Sequence, residues 1–424
     1  MILVYDLIFL FSLFFFLPGL IIKRKFPKGI LLRLGFLPHQ LNPNKWIWIH
    51  AVSVGELNSV KLLLERLREK YPYAQFVIST VTSTANKIAK GLAKEGDFIT
   101  YLPFDLSFVV RRVLMRIKPQ LFIIVETEIW PNLINALYEK GIPVILVNAR
   151  ISQRSFLGYR KIKFFLKRIL DKVSFFCAQT SLDANRLLTL GVEPSKIKIT
   201  GNMKFDLVES IDKQRFDLSK YQEKLNFNRE TKLWVCGSTH PGEEKIILSV
   251  YKELKEEFLN LTLLIAPRHH QRAKEIAKLV KKFSFEPVLL STASPKREKP
   301  VFILDTVGEL LNYYALADIV FVGGSLVKKG GHNILEPAIF SKPIIFGPYM
   351  FNFLDIAGVF LKENSALQVK DGTQLKEKLS FLLKNPDFSL KMGEKSLKLI
   401  YEFKGATQRN LLIIENFISL KNFY

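Results

Sequence analysis

From Trp46 onward, short apolar runs alternate with stretches of helical spacing. In the first half the runs are KWIWIH, AQFVIS, LFIIVE, PVILVN and SFFCAQ, with helical periodicity over Glu56–Tyr71 and Ala85–Lys94. A second series begins at Leu233 with LWVCGS and continues through LTLLIAP, VFILD, IVFVGG and PIIFGP. Between these lie the helix-like stretches Gly242–Glu257, Gln271–Lys282 and Val307–Leu316. Runs that are apolar throughout, rather than at every second position, suit parallel strands covered on both faces. The polar, charge-dense stretch 209–232 reads as a linker. The expected fold is α/β: two doubly wound Rossmann-like domains, 26–208 and 233–400, with strand ends facing a central cleft. Residues 401–424 are expected to form a C-terminal helix, and its packing back on the N-terminal domain stays open.

Residues 1–22 break the alternation. They carry a single charge, Asp6, and are followed by Lys23-Arg24-Lys25. About 20 apolar residues can span a bilayer, and a basic flank after the run places the following chain on the cytoplasmic side. No positive segment precedes the run and no small-residue cleavage site follows it, which argues against a secretory signal. Residues 1–25 are therefore expected to anchor the chain in the membrane, by crossing it or by lying in one leaflet, since Pro18-Gly19 shortens the clean run. The charge balance points the same way: 62 Lys and Arg against 39 Asp and Glu give +23, which suits an anionic partner. No helix-turn-helix, RNP-like or zinc pattern supports nucleic acid as that partner. Cys177 and Cys236 each lie within an apolar run and read as reduced core residues. Oligomeric state is not legible in the pattern.

In open parallel sheets, ligands bind beyond the carboxyl ends of the strands, and the unusual residues fall there. AVSVGE follows KWIWIH, ETEIWPN follows LFIIV, and NARISQRS follows PVILV; in the second half GSTHPGEE, PRHHQR and GGSLVKKGGHNILEP hold the equivalent places. Glu56 is open to two readings, a first-turn glutamate favoured by the helix dipole or a general base for an acceptor hydroxyl. Glu126 and Glu128 leave a wholly apolar strand and need partners. Lys204 of GNMKFD is either that partner or a cation that stabilises charge at a reacting centre. Arg150, Arg154 and Arg268 are candidate phosphate or carboxylate clamps. In KKGGHNILEP, Asn333 and Glu336 have capping-box spacing and Pro337 suits the first turn of a helix. The same Gly330-Gly331 turn into a helix would offer N–H groups to a phosphate, with Glu336 reaching ribose hydroxyls. The basic, aromatic run Tyr159–Lys172 reads either as a helix with a core face or as one lying on lipid headgroups. No phosphate loop, dinucleotide fingerprint, nucleophile elbow or HExxH pattern occurs, and no Cys/His set has metal-ligand spacing.

Together, HAVSVGE, ETEIWPN, NARISQRS, GNMKFD, GSTHPGEE, APRH and GGHNILEP, in this order behind an apolar N-terminus, resemble the 3-deoxy-D-manno-octulosonic acid (Kdo) transferases of lipopolysaccharide synthesis. The resemblance runs over essentially the whole chain. It implies a GT-B glycosyltransferase of the inner membrane that moves Kdo from CMP-Kdo to lipid IVA with inversion, using no cofactor and no active-site metal. By motif, Glu56 resembles the family's catalytic base, and Glu126 and Lys204 resemble residues that stabilise the transition state. The implied CMP contacts fall on Pro267 and Arg268, on Gly308, Glu309 and Leu310, and on Asn333, Ile334, Leu335 and Glu336. Where relatives often continue PRH with Pro-Glu-Arg, this chain has His270, Gln271 and Arg272. A transferase using a UDP-sugar would share the layout but not SVGE with ETEIWPN, and a lipid-binding or nucleic-acid-binding protein would not bind CMP.

Overall fold

The computed structural model describes residues 4–12, 15, 29–38, 46–211, 217–226, 230–292 and 300–418. The chain divides into two compact units, Met1–Ser210 with Phe403–Tyr424, and Ile211–Glu402.

Unit 1 is a seven-stranded parallel sheet built from β1 (Trp46–His50), β2 (Gln75–Thr80), β3 (Phe98–Tyr101), β4 (Leu121–Val125), β5 (Val144–Ala149), β6 (Phe175–Ala178) and β7 (Ile197–Ile199). Their order is β3-β2-β1-β4-β5-β6-β7. Every residue of β1, β4 and β5 is buried, and apart from His50 and Asn148 near the carboxyl ends these strands are apolar on both faces. Alternation then sorts the side chains. Ile47 and Ile49 of β1 meet Leu57, Val60, Leu64 and Leu67 of the helix Val54–Lys70, while Trp46 and Trp48 face Leu133, Leu137 and Leu166 on the other side. Strand order reverses between β1 and β4, which makes their outgoing loops the switch point.

Two terminal segments pack onto this unit. The helix Ala406–Glu415 lies against Val54–Lys70, and buried Asp206 caps its start by accepting from Gly405 N–H and Thr407 N–H. Residues 4–12 are helical. Asp6, the one charge of the apolar run, is buried and accepts from Ser107 N–H at 3.1 Å, Ser107 Oγ at 2.6 Å and Asn132 Nδ2 at 2.7 Å. Among the described residues no helix is long and apolar enough to cross a membrane. Residues 1–3, 13–14 and 16–25 of the expected anchor lie outside them.

Unit 2 repeats the plan with β8 (Lys232–Thr239), β9 (Leu261–Pro267), β10 (Glu286–Leu289), β11 (Pro300–Ile303), β12 (Ile319–Val322), β13 (Ile344–Phe346) and β14 (Leu367–Gln368). The order β10-β11-β9-β8-β12-β13-β14 puts the switch point between β8 and β12. Of the expected linker, 219–224 form a helix whose Tyr221 is buried edge-on against Tyr313. The expected helix Val307–Leu316 begins at Leu310, after a turn in which Gly308 has φ 89°.

Candidate active site

In unit 1 the loop leaving β1 turns directly into the helix Val54–Lys70. Ser53 caps it: its Oγ accepts from Glu56 N–H at 3.3 Å and donates to Glu56 Oε1 at 2.9 Å. Val52 N–H donates to Glu56 Oε2 at 2.6 Å. These bonds fix the Glu56 carboxylate at the switch point. Burial, followed by repulsion from Glu126, pushes its pKa up to about 7 against the pull of those two donors. Glu128 is also raised to about 7, by burial and then by Glu126.

Glu126 follows β4 with φ 63°, a left-handed conformation that costs a non-glycine residue on the order of 1–2 kcal/mol. Its Oε1 lies 3.3 Å from Lys204 Nζ, so Lys204 is the partner that the acidic pair required. Asn148 in β5 shares the left-handed conformation, φ 53°, and its Oδ1 accepts from Met203 N–H at 3.0 Å. It thereby ties β5 to the segment carrying Lys204. Sequence reasoning passed over Asn148 because a positive φ leaves no mark on composition. Arg150 is half-buried at the end of β5, and Arg154 is exposed on the helix Gln153–Lys161.

In unit 2 the two acids of GSTHPGEE are scaffolding. The Glu243 carboxylate is completely buried and accepts four backbone N–H groups, from His240, Gly324, Ser325 and Leu326, at 2.7–3.0 Å. Glu244 accepts from Thr239 Oγ1 at 3.0 Å and from Arg272 Nη1 at 2.6 Å. The backbone nest after β12 is therefore filled by the chain's own carboxylate.

The glycine pair of KKGGHNILEP also differs from expectation. Gly331 N–H donates to Gly324 O at 2.8 Å. A Cβ at Gly330 would fall 2.3 Å from Asn352 Nδ2, and one at Gly331 would fall 2.2 Å from Met350 Sδ. These glycines allow the loop to pack against 349–352. The helix that follows, Leu335–Ala338, is a single turn, too short to act as a phosphate-binding helix mouth. Asn333 Oδ1 accepts from Leu335 N–H at 3.1 Å, and Asn333 Nδ2 donates to Glu336 Oε1 at 3.3 Å, so the capping spacing serves the turn itself. Ile334 and Leu335 are buried beside it.

Pro267 ends β9, and the exposed Arg268 donates its N–H to Thr239 O at 3.0 Å. Burial raises the Glu336 carboxyl, opposed by Asn333 and then Arg268. Gly308 is open to solvent, whereas Glu309 accepts from the Thr306 hydroxyl and from Tyr221 OH at 3.4 Å. Leu310 starts the helix that packs on Leu335–Ala338. Arg268 and His269 act on both His240 and His332, and Lys329 acts on His240. Among the described residues no group of three or more His, Cys, Asp or Glu is placed to hold a metal ion.

A family model described as 3-Deoxy-D-manno-octulosonic-acid transferase (kdotransferase) matches residues 28–207. Over 380 residues the chain is 36% identical to the 3-deoxy-D-manno-octulosonic acid transferase of Haemophilus influenzae, covering 89% of this chain and 88% of that one. This chain belongs to the 3-deoxy-D-manno-octulosonic acid transferase family. A bifunctional glycosyltransferase/methyltransferase of Fusobacterium nucleatum is 38% identical over 359 residues, 82% of this Kdo transferase family member and 54% of that protein. A crystal structure of a glycosyltransferase from Rickettsia africae matches with a TM-score of 0.58 over 89% of this chain and all of that one. At 13% identity it speaks to the fold alone, the GT-B pairing of two parallel α/β domains.

Proposed function

We propose that this glycosyltransferase moves a Kdo residue from CMP-Kdo to lipid IVA with inversion, and that Glu56 is the general base. Glu56 carries the reading: a buried carboxylate, held by two hydrogen bonds at a switch point, with a pKa near the working pH of the cytoplasm. In the step, Glu56 takes the acceptor hydroxyl's proton as that oxygen bonds to the anomeric carbon. The bond from that carbon to the CMP phosphate breaks, and its electron pair leaves with CMP. Lys204, paired with Glu126, supplies positive charge beside the reacting oxygen. Nucleotide recognition falls to unit 2, through Pro267, Arg268, the 308–310 turn and Asn333–Glu336. No bound cofactor and no metal enter the scheme.

Attachment of the catalytic chain to the cytoplasmic face of the inner membrane is part of the same proposal. It is supported by an exposed apolar stripe at helical spacing, Val4, Leu7, Ile8, Phe11 and Phe15, and by exposed Leu31, Phe36, Phe108 and Met115 on the same unit. The net charge of +23 suits anionic headgroups and the phosphates of a lipid acceptor.

The test is mass spectrometry of lipid IVA incubated with fresh CMP-Kdo and either wild type or Glu56→Gln. A gain of Kdo mass with wild type alone supports donor, acceptor and base together. No product from wild type, with CMP still bound, would sink the donor–acceptor pair.

A further inference from the structure

His240 leaves β8 and His332 lies in the loop leaving β12, so the switch point of unit 2 brings them together. Their Nε2 atoms are 2.9 Å apart, with ring centroids 5.2 Å apart and 1° between the ring planes. With the nitrogens that close and the centroids that far, the rings must lie end to end in nearly one plane. That is an in-line N–H···N hydrogen bond, and it holds one hydrogen between two nitrogens; a proton on both would force the pair apart.

The surroundings maintain this arrangement. Glu243 accepts from His240 N–H and from the 324–326 backbone, so one buried carboxylate fixes both loops. Gly324 lies against the pair, where an added Cβ would come within 3.0 Å of His332 Cδ2 and 3.3 Å of His240 Cδ2. The charged and titratable groups around the pair are Arg268, His269 and Arg272 from the β9 loop, Lys329 from the β12 loop, and Glu243 below. His269 stands edge-on to His240 at 6.1 Å. Arg272 is bound by Glu244 and Glu275, and Glu243 is saturated by backbone donors. Burial first, and then the remaining positive field, disfavours charge on both rings, which keeps the pair uncharged while no anion is bound. Both rings are half-buried and reachable from solvent.

We propose that His240 and His332 are the anion subsite of unit 2 and that the pair takes up a proton when the donor's phosphate binds. The inference rests on the CMP-donor reading above. An incoming phosphate replaces the hydrogen bond within the pair, and each ring then donates an Nε2–H to phosphate oxygen. The proton comes from solvent on binding and returns when CMP leaves. While it is held, it offsets the charge that grows on phosphate as the sugar–phosphate bond breaks. By linkage, CMP binds more tightly as pH falls through neutrality.

Calorimetric titration of the full chain with CMP at pH 7, in two buffers of unlike ionisation enthalpy, reads the uptake directly in wild type. The expected result is between about half a proton and one proton taken up per CMP bound. In both His240→Gln and His332→Gln, checked for wild-type melting, uptake falls to near zero and Kd rises roughly tenfold or more. CMP binding with the same heat in both buffers would overturn the proton-sharing pair and leave the nucleotide reading standing. Uptake that persists in both variants would assign the proton to another group and also overturn it. Absence of CMP binding to wild type would remove both readings.

Discussion

At the scale of single residues, the proposed mechanism turns on how Glu56 is held. Replacing it by Gln keeps the shape and removes the base, so turnover should fall by roughly 10²–10⁴-fold with donor affinity unchanged. The wild-type rate should rise with pH up to about 7, where Glu56 loses its proton, and fall on the alkaline side if the histidine pair must be protonated. A pH profile that stays flat between pH 5.5 and 7.5 would contradict the base. The stability consequence has a definite sign. The folded-state pKa of about 7 lies above the ordinary 4.5, so the folded chain holds this proton more tightly than the unfolded one. The contribution is fully present below about pH 4.5 and lost as pH rises through 7. Glu56→Gln should therefore be more stable than wild type at pH 8, by about 2 kcal/mol in urea unfolding. Lys204→Met leaves Glu126 without its cation, and should lower kcat about 10²-fold while KM changes little.

At the scale of elements, two buried acids join segments far apart in sequence. Asp206 lies 199 residues from Gly405 and caps the helix Ala406–Glu415. Asp206→Ala should cost about 2 kcal/mol and expose that helix to limited proteolysis before the rest of its unit. Glu243→Ala strips partners from four backbone N–H groups, two of them fully buried, and should destabilise unit 2 by about 3 kcal/mol or more, read as a lowered melting transition. These roles explain which parts of the fold were legible in the sequence. The ten central strands announced themselves as unbroken apolar runs. The four that did not, β3, β7, β10 and β14, are the sheet edges, where half-exposed residues break the apolar signal. Motif acids were visible too, but not their division of labour: Glu56 and Glu126 lie at the strand ends of the candidate site, whereas Glu243, Glu244 and Asp206 bind the chain to itself. That difference depends on which backbone donors lie nearby, and only folding brings those donors close. The glycine pair Gly330-Gly331 misled for the same reason, since the loop it packs against is 349–352.

At the scale of the whole molecule, charge and apolar surface should act together. Binding to vesicles containing anionic lipid should weaken several-fold between 50 and 300 mM salt, as screening sets in. Leu7→Glu with Phe11→Glu should weaken binding at both salt levels, and equal binding by that variant would leave only electrostatics. The Asp6 clasp has a further consequence, which concerns the time of synthesis. Asp6 is made 126 residues before one of its partners, Asn132. At about 5–20 residues per second, that interval lasts roughly 6 to 25 s. Until Ser107 is made, 101 residues after Asp6, the apolar stripe lacks every one of these clasp partners, and lipid or a chaperone can take it first. The stripe thus waits on partners made later in its own chain, and a competing surface has that time in which to engage it.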